Sequence, residues 1–261
     1  MRRARVTVAY DGTDFHGFAP SSEVRTVMGE LRVAIEKVAR RPVTLVGAGR
    51  TDAGVHAWGQ VVSCDLPGGM DLQKLTNRVN SMCGPEISVR DWNWTDDPEF
   101  SARYSATYRH YRYDVLNTPA ANPFVARTAW HVFEPLQCWA MQLACDPLIG
   151  EHNFASFCRL PKPVAGEAPP SLVRRVMSAD WAPVPGDVPG LLRFEIRANA
   201  FCHQMVRSLV GTLVDVGLGR LHAGDMRAIL TQRDRRCAGQ VAPPHGLMLW
   251  EVGYPSASIK P

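Results

Sequence analysis

Residues 47–57 read GAGRTDAGVHA, and they join two segments, 42–47 and 57–64, that have the apolar pattern of β-strands. Three glycines within eight residues allow the backbone to turn sharply or to approach a ligand closely. Polar and charged residues fill most of the positions between these glycines. The stretch therefore predicts a tight, polar connection between two strands in the first half of the chain.

The elements on both sides of this connection complete a βαββαβ order. Residues 5–10 alternate as a first strand, and 86–91 have the pattern of a fourth. One helical face carries Val27, Leu31, Ala34, Ile35 and Val38, and a second carries Leu72, Leu75, Val79 and Met82. This order is typical of a ferredoxin-like unit.

A similar order follows the polar break at residues 96–99. Strand patterns cover 107–116, 172–181, 190–198 and 247–253, helical patterns cover about 203–217 and 224–232, and a further helix is marked by Leu136, Trp139, Ala140 and Leu143. We therefore expect an α+β fold of two ferredoxin-like βαββαβ halves with mainly antiparallel sheets. The division falls after residue 104, so that 1–104 carries the glycine-rich loop and 105–261 forms the second half.

Composition limits the class of protein. With 46% hydrophobic residues, the chain is neither disordered nor collagenous. No stretch of about 18 apolar residues predicts a membrane helix, and the basic N-terminus lacks the apolar region of a signal peptide. The seven cysteines include no C-x-x-C pair, which argues against a disulfide framework and a zinc site. We expect a soluble cytosolic protein without a metal site.

The basic residues are mostly arginine. Lys and Arg number 29 together, of which only four are Lys, and the formal net charge is +4. Arginine suits phosphate recognition and stacks on bases, but GC-rich coding also favours arginine over lysine. A net charge this small does not by itself indicate a nucleic-acid partner.

Arg50 and Asp52 form the first candidate site. They are two positions apart, so their side chains share a face wherever the backbone is extended. A nearby Arg keeps a partly buried Asp ionised, and an ionised, positioned carboxylate serves as a nucleophile or a base. The alternative interpretation is a tight hairpin with a structural ion pair. Neither the P-loop spacing nor the dinucleotide-binding spacing is present.

Two further clusters combine cations with aromatic residues. Residues 103–113 read RYSATYRHYRY. One interpretation is an RNA-binding surface, in which the aromatic side chains stack on unpaired bases and the arginines bind phosphates. The alternative is a structural strand, in which the Tyr side chains lie in the core and the Arg side chains reach solvent. Residues 197–207 read RANAFCHQMVR, in which Asn199 is a candidate helix cap, and His203 and Arg207 share a helix face. An Arg in so apolar a helix requires a partner, such as a carboxylate or a phosphate.

These three clusters, in this order, resemble the tRNA pseudouridine synthase A family over nearly the whole chain. The most specific match is GRTDAGVHA at residues 49–57. Shorter matches are YDGT at 10–13, FSAR at 100–103, YRY at 111–113, NFASF at 153–157, ANAF at 198–201, MVR at 205–207 and GL at 246–247.

The resemblance implies an isomerase that converts uridine to pseudouridine at positions 38, 39 and 40 in the anticodon stem and loop of tRNA. It implies that Asp52 is the catalytic nucleophile, with Arg50 paired to it and Arg207 near the carboxylate. It implies that Tyr111 stacks on the target base. It also implies an enzyme without a cofactor, a cytoplasmic homodimer whose subunits are bridged by tRNA, and sheets that form an RNA-binding cleft.

The chain departs from the family pattern at three places. Residues 18–20 read FAP where the family commonly has Trp-Gln, and Met28 stands where Gln is common. Gln204 follows His203 where the family often has two consecutive His. The first two changes fall in the N-terminal region that we expect to face the RNA, and the sequence does not tell their effect on RNA docking.

Two other functions compete with the isomerase. One is an RNA-binding protein or tRNA-folding chaperone that kept the fold and lost the chemistry, against which the intact Asp52, Arg50 and Tyr111 argue. The other is a carboxylate-dependent hydrolase of a small nucleoside. A hydrolase predicts turnover of free uridine, whereas the synthase predicts none without RNA structure.

Overall fold

The computed structural model describes residues 1–160 and 170–255. The chain forms two compact units, Met1–Tyr108 together with the segment from Met248 onward, and Arg109–Leu247. The C-terminal segment clusters with the first unit because its strand pairs with a strand of that unit. The sequence-based division differs at this point, since it places the same segment in the second half.

The elements of the described residues are ten strands and five α-helices. The strands are β1 (Arg2–Tyr10), β2 (Val46–Gly47), β3 (His56–Leu66), β4 (Ile87–Trp94), β5 (Tyr108–Asn117), β6 (Trp130–Val132), β7 (Gly150–Asn153), β8 (Val173–Pro183), β9 (Leu191–Ala198) and β10 (Leu247–Gly253). The helices are α1 (Val27–Ala39), α2 (Leu72–Cys83), α3 (Cys138–Leu143), α4 (Met205–Gly217) and α5 (Asp225–Gln232). The predicted α+β class is confirmed.

The first unit has the predicted order β1-α1-β2-β3-α2-β4. Its strands are arranged β4-β1-β3-β10, and β2 also pairs with β3. The pairs are antiparallel except for β3 with β10, where Met248 lies opposite His56. Alternate residues of β1 are buried, since side chains in a strand point to opposite faces.

The second unit has strands in the order β5-β9-β8-β7, with β6 parallel to β5. The other pairs are antiparallel, so the prediction of mainly antiparallel sheets is confirmed. The short strands β6 and β7 are additions to the predicted elements. Helix α4 is buried along most of its length, in agreement with its apolar sequence. An RNA-binding cleft stays a prediction.

The predicted strand at 42–47 is reduced to the two residues of β2. Pro42 has no backbone N–H to donate to a neighbouring strand. The N–H of Val43 donates instead to Glu36 Oε1 of α1, at 2.9 Å. These residues therefore connect the helix to the sheet rather than extend the sheet.

Two helical faces also differ from their predicted patterns. In α2 the buried residues are Leu75, Val79 and Cys83, while Met82 is exposed. In α3 Trp139 and Leu143, two of the four residues that mark this helix in the sequence, are exposed. Among the helices of residues 1–160 and 170–255, none is long and apolar enough to span a bilayer.

Candidate active site

Asp52 lies in a turn between β2 and β3. Its side chain is half-buried, between the buried Thr51 and the exposed Ala53. The N–H of Val55 donates to the Asp52 carbonyl at 3.2 Å and closes the turn. Gly54 has a φ of +76°, a conformation that most side chains disfavour. The glycine spacing of the motif thus produces the sharp turn predicted from sequence.

A second loop, residues 11–18, holds this turn on both sides of Asp52. The N–H of Phe18 donates to the Thr51 carbonyl at 3.1 Å, and the N–H of Gly54 donates to the Phe15 carbonyl at 3.4 Å. The two loops therefore fix the backbone just before and just after the carboxylate.

Side-chain contacts at the base of the turn add to these backbone bonds. The Tyr10 hydroxyl lies 2.8 Å from Thr51 Oγ1, and both residues are buried. His56 is also buried, and its Nδ1 accepts the Gly12 N–H at 3.1 Å. Asp11 Oδ1 lies 3.1 Å from the same Nδ1. The buried His56 ring thus links the 11–18 loop to the start of β3.

The close approach of the two loops requires glycine at residue 12. A Cβ added to Gly12 would lie 2.0 Å from the Val55 carbonyl oxygen, which belongs to the backbone and cannot rotate away. The YDGT match of residues 10–13 thus marks the loop that packs against the Asp52 turn.

Phe18 and Met28, two departures from the family pattern, are buried beneath the turn. Phe18 is 1% exposed and stacks on Tyr10, with ring centroids 5.9 Å apart. A Cβ on Gly47 would lie 2.3 Å from the Phe18 ring and 3.3 Å from the Met28 methyl. Both side chains thus pack inside the first unit, and their effect on RNA docking stays untested.

Arg50 occupies a different environment from Asp52, since it is exposed while Asp52 is half-buried. In the part of the chain that the structure describes, the Arg50 guanidinium takes part in no salt bridge. The ion pair between Arg50 and Asp52 is thus not formed here. The guanidinium is open to solvent and to an incoming ligand.

Tyr111 lies on β5 of the second unit, opposite Ile196 of β9. Its ring is 7% exposed and meets the Phe201 ring edge to face, with centroids 5.0 Å apart and an interplanar angle of 85°. This geometry is one that aromatic pairs prefer. Phe201 thus fixes the orientation of the residue predicted to stack on the target base. Its position in the ANAF match was the sequence signal for it.

Charged residues on β5 are paired across the sheet. Arg112 Nε lies 2.6 Å from Glu195 Oε1, and Arg193 Nε lies 2.7 Å from Asp114 Oδ1. The buried His110 lies 3.3 Å from the same Glu195. At Arg112 the structure therefore favours a structural ion pair over a phosphate contact.

Arg207 lies in the first turn of α4 and is anchored to a backbone segment. Its Nε donates to the Ala242 carbonyl at 2.7 Å, and the Ala242 N–H donates to the Arg207 carbonyl at 3.1 Å. The Tyr113 hydroxyl donates to the next carbonyl, Pro243, at 2.8 Å. Burial raises the pKa of Tyr113, and the positive charge of Arg207 opposes this shift. The partner that Arg207 requires in this apolar helix thus includes the backbone carbonyl of Ala242.

The two other predictions for this cluster are wrong. Helix α4 begins at Met205, so His203 precedes the helix and does not share a helix face with Arg207. Asn199 does not cap α4. Its Oδ1 accepts the backbone N–H groups of Arg175 and Ala200, at 3.0 and 2.8 Å. Asn199 therefore stabilises the end of β9 and not the start of the helix.

No group of three or more His, Cys, Asp or Glu is arranged for a metal ion within residues 1–160 and 170–255. The site residues predicted from sequence fall in both units. Arg50 and Asp52 lie in the first, and Tyr111 and Arg207 lie in the second.

Comparison with known proteins gives matches over most of the chain. A family model described as tRNA pseudouridine synthase matches residues 6–105 and 144–255. A tRNA pseudouridine synthase A of Brevibacillus brevis is 39% identical over 97% of this chain and 100% of its own length. The protein of the same name from Corynebacterium glutamicum is 40% identical over 98% of this chain and 90% of its own.

Among solved structures, a chain of the crystal structure of a Cbf5-Nop10-Gar1 complex aligns with 81% of this chain. The alignment spans 45% of that chain, with 14% sequence identity and a TM-score of 0.33. A similarity of this size carries no information about function.

Proposed function

Because the chain belongs to the tRNA pseudouridine synthase family, we propose that it isomerises uridine to pseudouridine at positions 38, 39 and 40 in the anticodon stem and loop of tRNA. The family is one of isomerases, and the sequence similarity extends over nearly the whole chain. The specific uridines are the part of this proposal that experiment has to test.

The observation that supports the proposal best is the geometry around Asp52. Hydrogen bonds from the 11–18 loop hold the residues on both sides of it, and its carboxylate is half-buried. A carboxylate held in one position loses little freedom when substrate binds, and such preorganisation lowers the activation barrier. The turn is thus suited to presenting a nucleophile.

The reaction breaks the C1′–N1 glycosidic bond of uridine and makes a bond from C1′ to C5 of the same base. No group leaves the RNA, and no redox change occurs, so the chemistry requires no external co-reactant. We assign Asp52 as the nucleophile that holds the intermediate while the base turns. The proton displaced from C5 passes to solvent or to a base, and N1 gains a proton.

The other assigned residues act on the RNA. The target base has to leave its stack before an enzyme can reach C1′, and Tyr111 then packs against it. Phe201 holds the Tyr111 ring for this contact. We assign Arg50 to the phosphates near the Asp52 turn, and Arg207 to the electrostatic environment of the reacting carboxylate.

The decisive experiment uses an unmodified tRNA transcript with uridines at the three positions. The wild-type protein is expected to convert these uridines, while Asp52→Asn and Asp52→Ala, which remove the charge, leave no measurable turnover. Asp96→Asn changes an exposed carboxylate of the same unit and serves as the matched control. Full turnover by Asp52→Asn would eliminate the proposed role.

The same assay separates the competing functions. Binding of tRNA without pseudouridine formation would support the RNA chaperone, and release of uracil from free uridine would support the hydrolase. We expect neither result. Carbodiimide mapping of tRNA from a deletion strain reports the modified positions in the cell.

We further propose that the active form is a cytoplasmic homodimer bridged by tRNA. Sedimentation equilibrium of the protein with and without the transcript measures the number of subunits. A monomer that retains full turnover at all concentrations would contradict the dimer.

A further inference from the structure

An aromatic and cationic cluster lies on the sheet of the first unit, outside the residues assigned to the reaction. The Trp58 ring of β3 stacks on the Trp250 ring of β10, with centroids 5.8 Å apart and an interplanar angle of 15°. The Arg90 guanidinium of β4 lies over the same Trp58 ring, 4.5 Å from its centroid, and donates to the Trp58 carbonyl at 2.6 Å. We call these three residues the Trp58 cluster, and all of them belong to the first unit.

The cluster projects from the less buried face of this sheet. Arg90 lies opposite Thr7 in the register of β1 and β4, so the two side chains project from the same face. The β1 residues of that face are partly buried, whereas the alternate residues lie in the core. Trp58 itself is 51% exposed. The sheet therefore presents a large aromatic surface to solvent.

The packing of two strands sets the position of the rings. Strands β3 and β10 are parallel, with Ala57 opposite Leu249. A Cβ on Gly59 would lie 2.2 Å from the Trp250 carbonyl oxygen, so glycine at this position allows β10 to lie close to β3. Trp58 is thus held on a strand of the sheet, and such a residue is positioned more precisely than one on a loop.

Arg90 adds a positive charge to the aromatic surface. Its Nε lies 3.6 Å from Asp91 Oδ2, and the Asp91 side chain is 65% exposed. An exposed ion pair of this length contributes little free energy, because water and salt screen it. The guanidinium therefore keeps its capacity to bind a phosphate, which its planar donors fit well.

We propose that the Trp58 cluster binds an unpaired nucleotide of the tRNA substrate, with the base stacked on Trp58 and the phosphate bound by Arg90. This inference rests on the proposed function. Stacking of a base on an aromatic ring is stronger than an exposed cation–π contact, so the base replaces the guanidinium over the ring. The guanidinium then turns to the phosphate. An aromatic ring beside a cation matches the two parts of a nucleotide, and this match favours RNA over a protein partner.

The cluster lies near the Asp52 turn along the chain. Trp58 is six residues from Asp52, a separation of at most about 22 Å for a fully extended backbone. Ala57, which precedes Trp58, lies opposite Tyr10, whose hydroxyl supports the turn. A tRNA is several times longer than this separation. We therefore expect the cluster to contact a nucleotide outside the target uridine.

Filter binding of the full-length protein to the unmodified tRNA transcript, at several salt concentrations, tests the two contacts separately. Trp58→Thr removes the ring and keeps a residue suited to a strand. It is expected to weaken binding about tenfold without changing the slope of log affinity against log salt, because stacking releases no counterions. Arg90→Ala should reduce this slope by about one contact. Trp58→Phe keeps an aromatic ring and should retain most of the affinity.

Trp139→Ala removes a tryptophan of α3 that is 68% exposed, and it is the matched control. Equal affinity of wild type and Trp58→Thr would overturn the proposal, as would an equal loss in Trp139→Ala. Urea unfolding verifies that each variant is folded. Sedimentation equilibrium without RNA tests the other occupant, since a change in subunit number for Trp58→Thr would show that a second copy covers the cluster and would overturn the assignment to RNA.

Turnover separates this inference from the proposed function. Trp58→Thr should raise KM for the transcript and leave kcat close to the wild-type value, because the cluster binds RNA away from the reacting atoms. If the wild type binds the transcript without forming pseudouridine, the proposed function fails, while the affinity of Trp58→Thr still decides the role of the cluster. A normal KM together with normal affinity in this variant would eliminate the cluster as an RNA contact.

Discussion

The position of Asp52, the proposed nucleophile, depends on a few neighbouring residues. The carboxylate has no regular secondary structure around it, so its position depends on contacts made by Thr51, Gly54 and the 11–18 loop. The buried hydroxyl pair of Tyr10 and Thr51 is the side-chain part of this support. Leaving a buried hydroxyl without its hydrogen-bond partner lowers the free energy of unfolding of a protein by about 1–3 kcal/mol.

Tyr10→Phe is expected to lower the free energy of unfolding by about 1 kcal/mol, because Thr51 Oγ1 is left without this partner. Loss of this support should lower kcat several-fold and leave KM nearly unchanged. Urea unfolding and transcript turnover measure the two effects. Thr51→Ser keeps the hydroxyl and should retain activity, while Thr51→Val should behave like Tyr10→Phe. Equal activity of the two Thr51 variants would contradict the role of the hydroxyl.

At the scale of secondary structure, the elements are stabilised by close contacts between neighbours. Helix α4 packs so tightly that a Cβ at Gly211 would lie 1.8 Å from the Gln240 carbonyl oxygen. Strand β1 is joined to β3 by Arg3 and Asp65, which are directly opposite in the register. Substitutions at Gly211 and at Asp65 should therefore change stability differently from the same substitutions in an isolated helix or strand.

Gly211→Ala should destabilise the protein by about 1–3 kcal/mol, because the methyl group meets a backbone carbonyl and α4 has to move away. In an isolated helix the same change stabilises by about 0.5–1 kcal/mol. Thermal and urea unfolding distinguish the two signs. At Gly224 an added Cβ meets nothing within 4 Å, and Gly224→Ala is the control.

Asp65→Asn tests the pair with Arg3 through its pH dependence. The hydrogen bond and charge of Arg3 lower the pKa of Asp65, so the ion pair stabilises the fold above the ordinary Asp pKa of about 3.9. This contribution is lost as the pH falls through the lowered pKa. Because the pair is partly exposed, we expect about 0.2–1 kcal/mol at pH 7. Unfolding free energies of wild type and variant should converge in acid, and a constant difference would refute the prediction.

At the scale of the whole molecule, the proposed association with tRNA is expected to depend on the distribution of charge. The net charge of +4 is small, so affinity depends on where the arginines lie. Arg112 and Arg193 are paired within the second unit, whereas Arg50 forms no salt bridge with the described residues. Local arginines, not the overall charge, are thus expected to contact phosphate.

Affinity for the tRNA transcript should fall as salt rises, because each phosphate contact releases counterions. Arg50→Ala is expected to weaken binding and to reduce the slope of log affinity against log salt by about one contact. Filter binding at several salt concentrations measures the slope. Lys37→Ala, on the exposed side of α1, is the control. An unchanged slope for Arg50→Ala would place Arg50 away from the RNA backbone.

Local sequence by itself determined the elements and the motif that identifies the family. Alternation in β1, the apolar run of α4 and the glycines around Asp52 depend on neighbours along the chain, and a sequence displays such neighbours directly. Where prediction failed, the outcome depended on contacts that the hydrophobic pattern does not display. Glu36 took the N–H of Val43, and Trp139 was left exposed despite its helical spacing.

The tertiary structure alone decided which residues support the site. The Tyr10 hydroxyl meets Thr51, the Phe201 ring meets Tyr111, and the Ala242 carbonyl accepts a hydrogen bond from Arg207. It also decided that Phe18 and Met28 are core residues and that Arg50 does not pair with Asp52. The physical reason is that each contact joins residues whose separation along the chain carries no information about their distance in space. Only the packing of loops and strands brings them together.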